Sequence, residues 1–171
     1  ITAEDVLYHY TDPNNIHLPV TKLVCLENTT NMGGGACYEL SEIERIKEVC
    51  EARNIKLHLD GARLWNALVA KSQHPTQFGA LFDTISVCFS KSLGAPVGSV
   101  LLGSKEAIQR AIRLRKVMGG GMRQTGYLTS AALFALKNNV SRLQRDHYRA
   151  KQIEMLLNKK TWVKEILPVQ T

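Results

Sequence analysis

The chain has 171 residues, of which 44% are hydrophobic and 22% are charged, values typical of one globular domain that exclude a disordered or fibrous chain. Its 22 lysines and arginines outnumber its 15 acidic residues and give a net charge of +7, an excess that suits an anionic small molecule as well as a nucleic acid. Because only 6% of the residues are aromatic, the stacking platform that binds single strands is missing, and no nucleic-acid partner is predicted.

The first third of the chain predicts a helix, a strand and a second helix. Turn-forming residues indicate a short helix and a loop over residues 1–20. The apolar run Lys22–Leu26 predicts a buried strand, and the glycine-rich stretch Gly33–Gly35 separates it from the next helix. Ser41 and Glu44 have the spacing of a capping box, so this helix is expected to be capped by Ser41.

Strands and helices continue to alternate through the rest of the chain. Three further strands are predicted, at residues 55–59, 84–89 and 98–102. A helix that includes Ala70 lies between the first two of these, and Ser104 is expected to cap another that ends near Val117. One long helix is predicted from about Gln124 to Asn158.

This order of elements predicts an α/β fold with a mostly parallel sheet and helices on both faces. In such sheets, ligands bind beyond the carboxyl ends of the strands. Polar clusters directly follow three of the predicted strands: Glu27-Asn28-Thr29, Asp60-Gly61-Ala62-Arg63 and Ser90-Lys91. The sequence therefore predicts one edge of the sheet where a carboxylate, a guanidinium and an amine meet.

These groups admit more than one interpretation. The carboxylate, the guanidinium and the amine could simply form a structural network of ion pairs, with no ligand. A metal site is not indicated, because lysine is not a usual ligand and the histidines lack ligand spacing. The glycine triplets Gly33–Gly35 and Gly119–Gly121 match no phosphate-loop motif. An amine that holds the aldehyde of pyridoxal phosphate, with an acid paired to the pyridine nitrogen, explains Lys91 and Asp60 together.

Five segments of the chain resemble the low-specificity L-threonine aldolases, which are fold-type I pyridoxal-phosphate enzymes. In chain order they are TKLVCLENT, HLDGARLWNA, SVCFSKSLGAPVGSVLLG, RKVMGGGMRQTG and ALKNNVSRLQRDH. The resemblance extends over about residues 17–150 and covers only the middle of a family member. It implies that residues 1–158 form part of the cofactor-binding large domain and that residues 159–171 begin a small domain, with a strand at Trp162–Leu167. The absence of an initiator methionine agrees with an excerpt of a longer polypeptide.

The resemblance implies specific roles at the predicted edge. Lys91 is similar to the lysine that forms a Schiff base with pyridoxal phosphate, and Asp60 to the acid that pairs with the pyridinium nitrogen. Arg63 is similar to the arginine that lies beside the phenolic oxygen of the cofactor and the carboxylate of the substrate. Thr30 and Ser92 stand where the family usually has histidine and glycine, and Ser92 follows the key lysine in a backbone geometry that glycine reaches more cheaply.

Three further residues acquire roles from the resemblance. Lys116 and Arg123 match basic residues near the phosphate, in reach of a neighbouring subunit's site. His17 aligns with a histidine near the substrate hydroxyl, where this residue or an ordered water would act as base. A solvated loop histidine is the simpler reading of His17 from its sequence context alone.

The function implied is pyridoxal-phosphate-dependent cleavage of the small amino acids L-threonine and L-allo-threonine to glycine and acetaldehyde, in a homodimer or homotetramer. A truncated, non-catalytic homologue and a related β-eliminating lyase remain open as alternatives. With no predicted membrane span or signal peptide, and four cysteines without paired spacing, we expect a protein of the cytoplasm or the mitochondrion with reduced thiols.

Overall fold

The computed structural model describes all residues from Ile1 to Thr171. In chain order its elements are α1 (Ala3–His9), β1 (Leu23–Glu27), α2 (Leu40–Ala52), β2 (Lys56–Gly61), α3 (Leu64–Lys71), α4 (Pro75–Leu81), β3 (Thr84–Cys88), β4 (Ser99–Gly103), α5 (Lys105–Val117), α6 (Gly126–Asn138) and α7 (Leu143–Leu157). All four predicted strands are present, displaced by one residue or two. The α/β fold class is confirmed.

The four strands form one sheet in the order β1-β2-β3-β4. The first three are parallel, and β4 runs antiparallel to β3. The segment 89–98 that joins β3 to β4 contains no helix, and a crossover to a parallel strand requires roughly a dozen residues or more, so the chain returns in the opposite direction. The prediction of a mostly parallel sheet is therefore confirmed.

The two faces of the sheet are covered unequally. Because side chains alternate along a strand, one face carries the apolar residues that pack against helices α1 to α4. The fully or nearly buried strand residues of this face are Leu26, Leu57, Leu59, Ile85 and Val87. Full burial of each such side chain contributes about 1.5–3 kcal/mol. The opposite face is polar along β2 and β3, and the side chains of β4 are exposed on both faces.

Helix α2 does not begin with the predicted capping box. Its N-cap is Glu39, with no side-chain hydrogen bond at the cap, and Ser41 is the second residue of the helix. Leu40 packs against the main core, and the helix begins two residues earlier than a cap at Ser41 would place it. In the first turn of α2, Glu42 accepts a hydrogen bond of 2.8 Å from the backbone N–H of Ala3 in α1. Tertiary contacts thus override the local signal.

The prediction of one long C-terminal helix is also wrong. It is divided into α6 and α7 by a turn at residues 139–142. The side chains of Asn139 and Arg142 donate hydrogen bonds to backbone carbonyls of the segment that follows β3, rather than pointing away from a continuous helix. Asparagine and β-branched residues have low helix propensity, which makes this position the weak point of the pattern.

Two smaller differences concern α4 and the end of the chain. Helix α4 was not predicted, although proline at its first position, after a capping His74, is a typical start. Trp162–Leu167 forms no strand, so that prediction is wrong in this structure; a strand needs a partner, and this segment pairs with none. Leu167 packs against Gly34, and Gln170 Oε1 accepts a 3.0 Å hydrogen bond from the backbone N–H of Cys37.

The four cysteines are all free thiols, and burial raises the pKa of both Cys37 and Cys50. None of the seven helices has the length and apolar character needed to cross a bilayer.

Candidate functional site

The carboxyl ends of the three parallel strands lie at one edge of the sheet. In the strand register, Glu27 is opposite Asp60, and Asp60 is opposite Ser86. Register partners in a parallel sheet point to the same face. These three side chains therefore share the polar face, because the neighbours Leu59 and Val87 point into the core.

Asp60 is held by the backbone that follows β2. Its Oδ1 accepts a hydrogen bond of 3.0 Å from the N–H of Ala62, and its backbone carbonyl accepts one of 3.1 Å from the N–H of Asn28. The residue is exposed, and no group of the chain donates to Oδ2. One carboxylate oxygen thus fixes the orientation while the other is available to a ligand.

Arg63 lies at the N-cap position of α3, immediately beyond the end of β2. Its Nη1 is 3.9 Å from Oε1 of Glu27, a long ion pair between two side chains that are each about one-third exposed. The other oxygen of Glu27 accepts a 2.9 Å hydrogen bond from the N–H of Asn31. The guanidinium therefore keeps most of its five donors free for an anionic group.

Lys91 follows β3 and lies in the turn beyond Cys88. The turn closes through a 2.8 Å hydrogen bond from the N–H of Gly94 to the carbonyl of Lys91, and a 2.9 Å bond from Ala95 to Phe89. Lys91 is exposed, and its ammonium makes no ion pair or hydrogen bond within the chain. Its position in a solvent-facing turn avoids the cost of burying the charge.

Ser92 adopts no strained backbone. The three non-glycine residues with positive φ are Asn54, Ser72 and Gln124. The left-handed residue of the turn is Gly94, with φ of 77°. Ser92 is therefore compatible with this turn. Its φ is not positive, so the position does not require the glycine that the family pattern has there.

The three other predicted residues, His17, Lys116 and Arg123, are exposed. Lys116 is near the end of α5, and its aliphatic chain covers Gly121 so closely that a Cβ added there would lie 2.7 Å from its Cδ. Arg123 lies two residues beyond Gly121, the last glycine of the triplet Gly119–Gly121. The backbone N–H of His17 donates to Asn15 Oδ1 at 3.1 Å. No hydrogen bond or ion pair connects any of these side chains to Asp60, Arg63 or Lys91.

Sequence reasoning missed the burial of two polar residues at the same edge. Asn28 is 0% exposed and Thr29 is 1% exposed. Asn28 Oδ1 accepts a 3.4 Å hydrogen bond from the N–H of Tyr38, but its Nδ2 and the Oγ1 of Thr29 have no partner. Buried polar groups are normally paired. Their place directly after an apolar strand was the available signal.

A cleft of about 660 Å³ lies elsewhere, at the amino ends of β2 and β3. Its lining includes Lys56 and Asp83, whose side chains form an ion pair of 2.8 Å, and Arg110. Its lining includes none of the site residues predicted from the sequence. Since ligands of parallel sheets bind beyond the carboxyl ends of the strands, we assign the candidate site to the opposite edge.

The sheet, with three parallel strands and an antiparallel fourth, matches part of the large-domain fold of pyridoxal-phosphate-dependent transferases. A solved structure of a putative L-allo-threonine aldolase from Listeria monocytogenes has this fold, with a TM-score of 0.83 and 26% identity over 99% of this chain and 46% of that one.

The chain belongs to the beta-eliminating lyase family, whose profile matches residues 1–169. It is 47% identical over 145 residues to a probable low-specificity L-threonine aldolase of Arabidopsis thaliana, covering 85% of this chain and 41% of the relative. It is 45% identical over 155 residues to a low-specificity L-threonine aldolase of Candida albicans, covering 90% of this chain and 41% of the relative. The chain thus spans about two-fifths of the length of these relatives.

Proposed function

We propose that this chain binds pyridoxal phosphate through Lys91 and contributes the catalytic edge of an enzyme that cleaves L-threonine and L-allo-threonine to glycine and acetaldehyde. One observation carries the proposal: near the carboxyl ends of β2 and β3, Asp60, Arg63 and Lys91 present a carboxylate oxygen, a guanidinium and an amine that the chain leaves largely unpaired. A purely structural ion-pair network would instead join these groups to one another.

The free groups fit the chemistry of the cofactor. The Lys91 amine would hold its aldehyde carbon, and the free Oδ2 of Asp60 would pair with its pyridine nitrogen. Lys116 and Arg123 would meet its phosphate, in a site that a neighbouring subunit helps to form. When bound, pyridoxal phosphate supplies the electron sink that stabilises the negative charge left on Cα as the Cα–Cβ bond breaks.

The residues of the chain bind the substrate and move its proton. Arg63 would hold the substrate carboxylate with paired donors, which fixes the orientation of the amino acid. His17, or a water molecule, would accept the proton of the β-hydroxyl. As this O–H bond breaks, the oxygen forms a carbonyl with Cβ, the Cα–Cβ bond breaks, and acetaldehyde leaves. A proton returned to Cα completes glycine.

The names of the relatives support this choice over the alternatives. The Candida protein is described as a low-specificity L-threonine aldolase, and the Arabidopsis protein as a probable one. A β-eliminating activity remains the second candidate, because the family is named for that reaction. We further propose a homodimer or homotetramer in the cytoplasm or mitochondrion, with a domain boundary at residues 158–159, next to the end of α7 at Leu157.

Cofactor binding is tested by adding pyridoxal phosphate to the purified protein and recording its absorbance. Borohydride reduction and peptide mapping then identify the modified lysine. We expect selective modification of Lys91, its loss in Lys91→Ala, and weaker binding in Asp60→Asn. Lys105→Ala, which removes a surface lysine of α5, is the matched control. No Lys91-dependent absorbance would favour the non-catalytic homologue.

The reaction is tested by measuring acetaldehyde released from threonine and pyruvate released from serine. Acetaldehyde from threonine and allo-threonine supports the aldolase. Pyruvate as the main product would overturn it in favour of the β-eliminating lyase.

A further inference from the structure

The turn that carries Lys91 is bound by the α6–α7 corner, which consists of residues 139–142 between these two helices. Asn139 Nδ2 donates a 2.7 Å hydrogen bond to the carbonyl of Leu93. Arg142 Nη2 donates a 3.1 Å bond to the carbonyl of Ser92. With the bond from Gly94 to Lys91, three consecutive carbonyls of the turn have a defined donor.

Apolar packing reinforces these bonds. Leu93 is 2% exposed and lies in a small core cluster with Ala95, Ala135 of α6 and Leu143 of α7. The turn thus inserts one side chain between the two helices while their corner binds its carbonyls. This contact spans 46 residues of sequence between Leu93 and Asn139, so it is a tertiary constraint and not a local one.

The corner is itself anchored to the part of the chain that carries Arg63. Helix α7 packs against α3, where Asn66 Nδ2 lies 3.2 Å from His147 Nε2. Arg63 is the N-cap of α3. The α6–α7 corner therefore connects the turn of Lys91 to the helix that begins at Arg63.

We propose that Asn139 and Arg142 are positioning residues, which hold the backbone of residues 91–93 so that the Lys91 amine is aimed at a carbonyl carbon. The inference rests on the proposed function, because that function gives the amine its task. A displacement of about 1 Å in such a group can slow a reaction by roughly a hundredfold. Neither residue touches the substrate; each acts through the backbone next to Lys91.

The variants are chosen to remove one donor at a time. Asn139→Asp is nearly isosteric but presents an acceptor to the Leu93 carbonyl, and Arg142→Ala removes the donor to Ser92. Asn138→Ala is the control for the first, since that amide bonds only within its own helix, to Phe134. Arg145→Ala is the control for the second, one turn further along α7.

Two readouts separate positioning from simple stability. The first readout is a ratio of two rates: the rate at which pyridoxal phosphate modifies Lys91, divided by the rate at which it modifies the surface residue Lys105 in the same sample. Borohydride traps the modified lysines. Each variant is measured at the same number of degrees below its own melting temperature. We expect this ratio to fall about tenfold or more in Asn139→Asp and in Arg142→Ala, and to stay unchanged in the controls. Arg142→Lys, which keeps one donor, should recover part of it.

The second readout needs no cofactor. Amide hydrogen exchange at Gly94 and Ala95 should accelerate in the two test variants and not in the controls, because the turn opens more readily without its donors. Unchanged exchange, or an unchanged modification ratio in folded variants, would overturn the inference. Absence of selective Lys91 modification in the wild-type protein would instead overturn the proposed function, while the exchange data would still report on the turn.

Discussion

Glu27 and Asp60 lie directly opposite each other in the register of β1 and β2, so two carboxylates occupy one face at the carboxyl ends of neighbouring strands. Like charges in this relation repel. Each is held by a different backbone donor, Asn31 for Glu27 and Ala62 for Asp60, and Arg63 supplies the nearest cation to Glu27. A bound cation at Asp60 would relieve the repulsion further, which is what a protonated pyridine nitrogen provides.

Arg63→Lys should raise the KM for threonine by about tenfold to a hundredfold with a smaller effect on kcat, because lysine cannot form the paired bonds that a planar guanidinium makes with a carboxylate. Steady-state kinetics over a range of threonine concentrations measures both constants. Arg45→Lys, on the exposed surface of α2 beside Glu42, is the matched control and should leave them unchanged. An equal KM in the two variants would remove the carboxylate-binding role of Arg63.

Asp83→Asn should abolish part of the acid sensitivity of folding. Burial alone would raise the pKa of Asp83, but hydrogen bonds from Lys56 Nζ and from the N–H of Leu57, with the charge of Lys47, lower it overall. A carboxyl whose pKa is lower in the folded chain stabilises the fold fully above its unfolded pKa of about 3.9. That stabilisation is lost as the pH falls through the folded pKa.

The variant should therefore be less stable than the wild type by about 1 kcal/mol at pH 7, and the two should converge as the pH falls through the folded pKa of Asp83. Urea denaturation at a series of pH values measures this difference. Asp146→Asn on α7, where the nearest cation is 4.0 Å away at Arg149, is the control and should show little change. A constant difference between wild type and Asp83→Asn at every pH would contradict the assignment.

The sequence predicted best what depends on local pattern. Apolar runs ending in polar residues gave all four strands within two residues, and Ser104 caps α5 through a 3.2 Å bond from the N–H of Ala107, as its sequence indicates. The start of α2 and the division of α6 from α7 depend on contacts between segments far apart in the chain. Leu40 joins the core and Asn139 bonds to Leu93, and no local pattern contains those partners.

The candidate site shows the same limit. Its residue types and their place beyond the strands follow from the sequence, because parallel strands bring their ends to one edge. The position of Lys91 in a turn held by distant helices does not follow, since it depends on how α6 and α7 pack. Likewise, the place of Asn28 and Thr29 directly after an apolar strand indicates their burial, but nothing local indicates that Asn28 Nδ2 and Thr29 Oγ1 have no partner.

Phe78→Ala should destabilise the fold by about 3–5 kcal/mol, because the side chain is fully buried and its loss leaves a cavity. Its ring stacks on that of Phe82, with centroids 6.4 Å apart. Leu102→Ala on β4 is the control: at 47% exposure, it should cost less than about 1 kcal/mol. Urea denaturation followed by circular dichroism compares the two, and similar midpoints would show that the core does not lie on the α4 side of the sheet.

Two glycine substitutions should act in opposite directions. Gly34 has φ of +68°, and a Cβ there would lie 2.9 Å from Leu167 Cδ1, so Gly34→Ala should destabilise by about 1–2 kcal/mol. Gly79 lies inside α4 with nothing within 4 Å of a Cβ, so Gly79→Ala should stabilise by about 0.5–1 kcal/mol.

The double variant Gly34→Ala with Leu167→Ala separates the two causes at Gly34. Removing the leucine relieves the overlap but not the cost of a left-handed alanine, so the double variant should be more stable than the sum of the single changes and still less stable than the wild type. Thermal unfolding compares the stability of the wild type, the two single variants and the double variant, and the same measurement tests Gly79→Ala. Strict additivity of the two changes would show that Leu167 does not contact Gly34 in solution.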